Sequence, residues 1–232
     1  MLSSRLVKRP PVLALGALLA LLGFATACSD SPSAPTATMS PAGAQEIAPA
    51  ILSSYTGDID FNATYPNLTW KTPSKSMKGD TTVSTFTVDP DYGALINFGS
   101  NHKLILPPDK ICDPATSGYG PSYWDDWCDL AHDNITFTIK SWTGSNGRPF
   151  ATVTPDVRFR PWVSYSPRIY FYDANLVDFS RVVIPWCDKN NVCVDEGAND
   201  SFLQTYARKS NGPGYWVYRN LRHLSGYNVT AF

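Results

Sequence analysis

Between residues 81 and 230 the chain never runs more than about ten residues without a proline, glycine, asparagine or aspartate. This punctuation constrains the fold most, because an average helix needs about 11 residues and an average strand only about 5 or 6. Inside the runs the period is two. Over 81–89, Val83, Thr85 and Thr87 alternate with Ser84, Phe86 and Val88, and over 134–140 Ile135, Phe137 and Ile139 share one face. Alternation of this kind marks half-buried strands. Further strands are predicted at 94–98, 103–106, 153–159, 162–165, 168–172, 181–184, 215–218 and 221–230. Turns such as Pro107-Pro108 and Gly144-Ser145-Asn146-Gly147 separate them. Many short strands at this spacing predict an all-β fold, an antiparallel β-sandwich or a barrel. The single helical signal is Ser122 with Asp125 three residues on, a capping box opening a short helix inside a loop. That helix would carry Trp124, Trp127 and Ala131 on one side.

The N-terminus has a different composition. Arg5, Lys8 and Arg9 precede an uncharged apolar run over 12–24, the layout of a signal peptide. A durable membrane span needs roughly 20 apolar residues. The run ends in Ala25-Thr26-Ala27-Cys28, which resembles the lipobox of bacterial lipoproteins. That resemblance implies cleavage before Cys28 and diacylation of its thiol, with 1–27 as the signal peptide. Ala25 stands where the motif prefers leucine. Ordinary cleavage after Ala27 would instead release a soluble secreted protein. From 29 to 50, 14 of 22 residues are Ser, Pro or Ala, a composition that cannot offset its ordering entropy by burial. The expectation is therefore a lipidated cysteine and flexible linker over 28–53, followed by one domain over 54–232. Ser29 does not resemble an inner-membrane retention signal, which favours the outer membrane of a bacterial envelope.

Without Arg5, Lys8 and Arg9 the basic count falls from 19 to 16 against 20 acids, a net charge of about −4. Nothing in that balance supplies the basic field that nucleic acid requires. Apart from Cys28 the cysteines are Cys112, Cys128, Cys187 and Cys193, an even number suited to an oxidising compartment. Each neighbouring pair brackets a polar, loop-like stretch, so Cys112 with Cys128 and Cys187 with Cys193 is the favoured pairing. Spacings of 16 and 6 do not supply the Cys-x-x-Cys pairs of a zinc site, and no metal or cofactor is expected.

Three segments resemble the ZU5 domain: Gly93-Ala-Leu-Ile-Asn-Phe-Gly-Ser-Asn-His-Lys-Leu-Ile-Leu-Pro-Pro, Val157-Arg-Phe-Arg-Pro-Trp-Val-Ser-Tyr, and Arg222-His-Leu-Ser-Gly-Tyr-Asn-Val. They span about 93–229. The resemblance implies a β-sandwich used as an interaction module. Some such domains cleave themselves within a His-Phe-Ser or His-Leu-Ser tripeptide. By that likeness the bond between Leu224 and Ser225 would break, with Ser225 as nucleophile and His223 as base. The ordinary alternative is that 223–229 is simply the closing strand.

Other chemistry is sparse. No Gly-x-Ser-x-Gly elbow, phosphate-binding loop or His-Glu-x-x-His pattern occurs, so no catalytic centre is evident. The three histidines, His102, His132 and His223, read as ordinary polar or core residues. Asp125, Asp126, Asp129 and Asp133 form one acidic group; Asp188, Asn190, Asn191, Asp195, Glu196, Asn199 and Asp200 form another. Neither fits a calcium loop, and both read as solvated loop charge, although two such carboxylates would also serve a polysaccharide hydrolase. Tyr119, Tyr123, Trp124 and Trp127 fall between Cys112 and Cys128. On a braced loop they could bind a glycan or an envelope protein, or cover the end of the core. Five Asn-x-Ser/Thr sequons, at Asn62, Asn67, Asn134, Asn199 and Asn228, read as incidental in a bacterial lipoprotein. The reading is a lipid-anchored binding or structural module of the cell envelope.

Overall fold

Alternating and continuous apolar runs take separate places in the fold. The computed structural model describes residues 38–39, 48–161, 166–190 and 192–231, all belonging to one compact unit, 32–232. Its first strands are β1 (Thr38–Met39), β2 (Ile51–Leu52), β3 (Trp70–Lys71), β4 (Ser74–Lys78) and β5 (Thr81–Val88). They are followed by β6 (Ala94–Phe98), β7 (His102–Leu106), β8 (Ile135–Thr143), β9 (Pro149–Arg158) and β10 (Arg168–Asp173). The last are β11 (Val182–Val183), β12 (Trp186–Cys187), β13 (Val192–Val194), β14 (Tyr206–Lys209), β15 (Tyr215–Asn220), β16 (His223–Asn228) and β17 (Thr230–Ala231).

Two sheets form the expected β-sandwich. One has the order β1-β13-β12-β16-β9-β8-β5-β4, the other β2-β14-β15-β10-β7-β6-β3, and β11 pairs with β17 beside them. Pairing is antiparallel except where the short β1, β2 and β3 join their neighbours in parallel. The alternation of β5 and β8 becomes the inner face of the first sheet. Ser84, Phe86 and Val88 are buried, as are Phe137 and Ile139, and Phe86 lies opposite Phe137 with ring centroids 5.7 Å apart. In β6 and β7 nearly every residue is buried, on both faces. The second face is covered by a separate cluster in which Phe61 meets Tyr170 and Trp216 edge to face. Gly93, which leads β6, has φ +65°, and a Cβ there would lie 2.2 Å from the Leu106 carbonyl oxygen, so only glycine fits.

The helix lies elsewhere than the capping-box signal placed it. The α-helix α1 spans Phe61–Thr64, where the Asp60 carboxylate accepts from Ala63 N at 3.0 Å. Around Ser122 there is one 3-10 turn, Pro121–Tyr123, without a side-chain cap. Beyond it the chain is drawn into extended pairing, with Cys112 bridged to Leu130 and Ala131 N donating to the Ile111 carbonyl. A disulfide and a β-bridge thus hold residues that one propensity signal would have made helical. The linker also ends earlier than 53, since β2 pairs with β14 and Ser53 N donates to the Ala207 carbonyl. The strand predicted at 162–165, the signal peptide predicted over 1–27 and the predicted lipidation site Cys28 lie outside the described residues.

Candidate functional site

Pro155 interrupts β9, and a proline cannot donate to a strand ladder. The consequence appears in the pairing of β16. Leu224 faces Val157, whereas Gly226 faces Thr152, so the intervening part of β9 leaves β16 while Val153 and Thr154 remain paired with β8. Beside this split lies a cavity of about 460 Å³, lined by Tyr119, Trp142, Phe150, Asp156, Trp186, Ser225 and their neighbours. That volume suits a small ligand or one to two sugar rings. Trp142 stacks on Phe150 at 5.5 Å. Also in the lining, Trp186 Nε1 donates to Ser225 Oγ at 2.5 Å.

The Ser225 side chain also lies beside the Tyr119 hydroxyl, which donates to the Leu224 carbonyl at 3.0 Å. Behind Tyr119, His223 is fully buried, its ring stacked on Trp124 at 4.2 Å. His223 Nε2 lies 3.1 Å from Glu196 Oε1, and Glu196 Oε2 lies 2.9 Å from Arg219. Burial alone would raise Glu196, but the His223 hydrogen bond and the Arg219 charge hold it below its ordinary value. Burial lowers His223 despite that contact. The pair is therefore an ionised carboxylate, balanced by Arg219, beside a neutral imidazole. A carboxylate only accepts, so Nε2 carries the proton and Nδ1 is bare. Nδ1 faces the hydroxyls of Tyr227 and Tyr119 at 3.2 and 3.4 Å.

The four aromatic candidates divide. Tyr119 enters the pocket wall and Trp124 is buried against His223 and Trp186. Tyr123 and Trp127 remain 44% and 68% exposed, with the Arg160 guanidinium 4.4 Å from the Trp127 ring. Both disulfides are present, Cys112 with Cys128 and Cys187 with Cys193. Arg158 and Arg160 brace the first loop by donating to the carbonyls of Gly118, Asp126 and Cys128.

Among the described residues no group of three metal-ligating side chains converges. The second acidic group is not simply solvated charge. Asp195 caps a 3-10 turn and accepts from Ala48 N, Asp200 caps the next turn and pairs with Arg222, and the Glu196 side chain is only 7% exposed. Asp188 accepts from the backbone of Asn190 and Val192 in its own turn. Of the first group, Asp125 reaches Arg222 at 3.4 Å. His102 is buried and accepts from Tyr172 N, while exposed His132 pairs with Asp91. Sequence reading did not single out Trp142, Phe150, Asp156 or Trp186. The available signal was Pro155 inside a strand-like run, which marks a broken ladder.

These features define a disulfide-stapled β-sandwich with an aromatic-walled pocket at a split in one sheet. The chain matches no family model, and no curated protein or solved structure is significantly similar to it.

Proposed function

We propose that the chain is a lipid-anchored binding module of a bacterial cell envelope, built on a ZU5-like sandwich, whose pocket between β9 and β16 takes a glycan. The cavity carries this reading. Indole and phenol rings offer apolar faces to the C–H faces of a sugar, while Thr152, Thr154 and Asn228 supply short polar groups at its wall. Isothermal titration against a panel of envelope and plant-type oligosaccharides is the test. Trp186→Ala should weaken binding roughly tenfold or more. Trp127→Ala, at an exposed ring outside this pocket, should leave it unchanged. Equal losses in both variants, or no binding to any glycan, would remove the reading.

A second reading is favoured by the Tyr119 contact with the Leu224 carbonyl. Ser225 Oγ would attack that carbonyl carbon, and the bond to the Ser225 nitrogen would break as the released amine takes the hydroxyl proton. Water would then hydrolyse the resulting ester, leaving a Leu224 carboxylate and a free Ser225 hydroxyl. Tyr119, which donates to the Leu224 carbonyl, would support the developing oxyanion, with the bare Nδ1 of His223 3.4 Å from the same hydroxyl. The intact mass of protein extracted from membranes tests anchoring and cleavage together. Acylated Cys28 should give a chain lacking 1–27 and carrying added acyl mass that Cys28→Ser lacks. Cleavage would separate residues 225–232 on denaturation, and Ser225→Ala would stay whole. A wild-type chain without acyl mass ends the anchor claim, and one unbroken at 224–225 ends the cleavage reading.

A further inference from the structure

Asp156 is the one acidic side chain lining the pocket that has neither a hydrogen bond nor an ion pair among the described residues. Asp188, also in the lining, is already engaged by the backbone of its own turn, and Lys189 beside it is exposed. The one titratable group that acts electrostatically on Asp156 is His223. His223 is held neutral by burial and so does not neutralise it. Asp156 is solvent-exposed at the rim of the pocket, and the desolvation that remains raises its carboxyl above its ordinary value, with no cation paired to it to lower it. It shares the pocket with the rings of Tyr119 and Trp186, and aromatic faces beside a carboxylate favour a cationic group over a neutral one.

Resting on the glycan reading of this pocket, we infer that the ligand is an amino sugar with a free amine, its ammonium group placed against Asp156 and its ring against the aromatic walls. The contact would be a charge-assisted N–H to carboxylate bond, stronger than the neutral hydrogen bond a hydroxyl or acetamide could offer there. The exposure of Asp156 limits the gain, so selectivity rather than most of the affinity would come from this contact.

The test titrates the full-length protein with three oligosaccharides of equal length: glucosamine units, their N-acetylated counterparts, and glucose units. The glucosamine oligomer should bind about fivefold more tightly than either neutral oligomer at low salt, and added sodium chloride should narrow the gap. Asp156→Asn should abolish that preference, bringing the glucosamine oligomer to the affinity of the neutral ones in the same variant. Neutral oligomers that bind as well as the amine would overturn this inference and leave the glycan reading standing. A preference surviving in Asp156→Asn would do the same. Binding of none of the three to the wild type, or to any other glycan, would remove both together.

Discussion

Glu196→Gln should destabilise the domain by about 3 to 5 kcal/mol, read as a lower midpoint in denaturant unfolding with both disulfides intact. The substitution keeps the shape and one hydrogen-bonding oxygen but removes the charge. Arg219, with no exposed surface, would then keep its contacts to the carbonyls of Ile184 and Asn220 without a counter-charge. An uncompensated buried cation costs far more than the net worth of the pair, because the pair's attraction mostly repays its own desolvation. Arg219→Met in the Glu196→Gln background should therefore recover part of the loss. A double variant as unstable as the sum of the two single changes would show that the ion pair is not the source of the effect.

Acid should act on the same group. Glu196 has a depressed folded value, so its contribution is in place above the ordinary 4.5 and is lost as pH falls through that lower value. His223 is also depressed. Its neutral form contributes stability above 6.5, and that contribution declines as pH falls below 6.5 toward its folded value, because the unfolded chain takes up the proton first. Both effects weaken the wild type in acid. The carboxylate part should be absent from Glu196→Gln, whose stability curve should be flatter below 4.5.

What the sequence revealed and what it hid follow from the range of the interactions involved. Strands with one solvated face announced themselves, because period two is a local property, and β5 and β8 lie where the alternation puts them. Polar edge strands did not. All five residues of β4, Ser-Lys-Ser-Met-Lys, are exposed, so no buried face leaves a periodic trace, and its lysines discourage pairing with another chain. Two-residue strands such as β12 exist only because Cys187 and Trp186 meet β13 and β16. The disulfides were legible from number and bracketing alone. The Glu196, His223 and Arg219 cluster was not, because burial that turns loop acid into an ion pair depends on contacts 23 to 27 residues apart. The pocket was half legible. Tyr119 stood out as a ring on a braced loop, while its position between Ser225, Leu224 and His223 required the long-range return of β16.

Removing the bridge with Cys112→Ala and Cys128→Ala together should cost about 3 kcal/mol, against about 2 kcal/mol for Cys187→Ala with Cys193→Ala. The difference follows from loop length, 16 residues against 6, since the longer loop restricts the unfolded chain more. The functional effects should differ as well. The first loop carries Tyr119 to the pocket and Trp124 to the face of His223, so its release should loosen one pocket wall and reduce ligand affinity even where the domain stays folded. Arg158 and Arg160 would still tether the loop through its carbonyls, which should keep the variant folded at room temperature. Amide hydrogen exchange locates the change. Faster exchange confined to about 113–127 in the first double variant is the expected result, and unchanged exchange there would mean that the arginine contacts alone fix the loop.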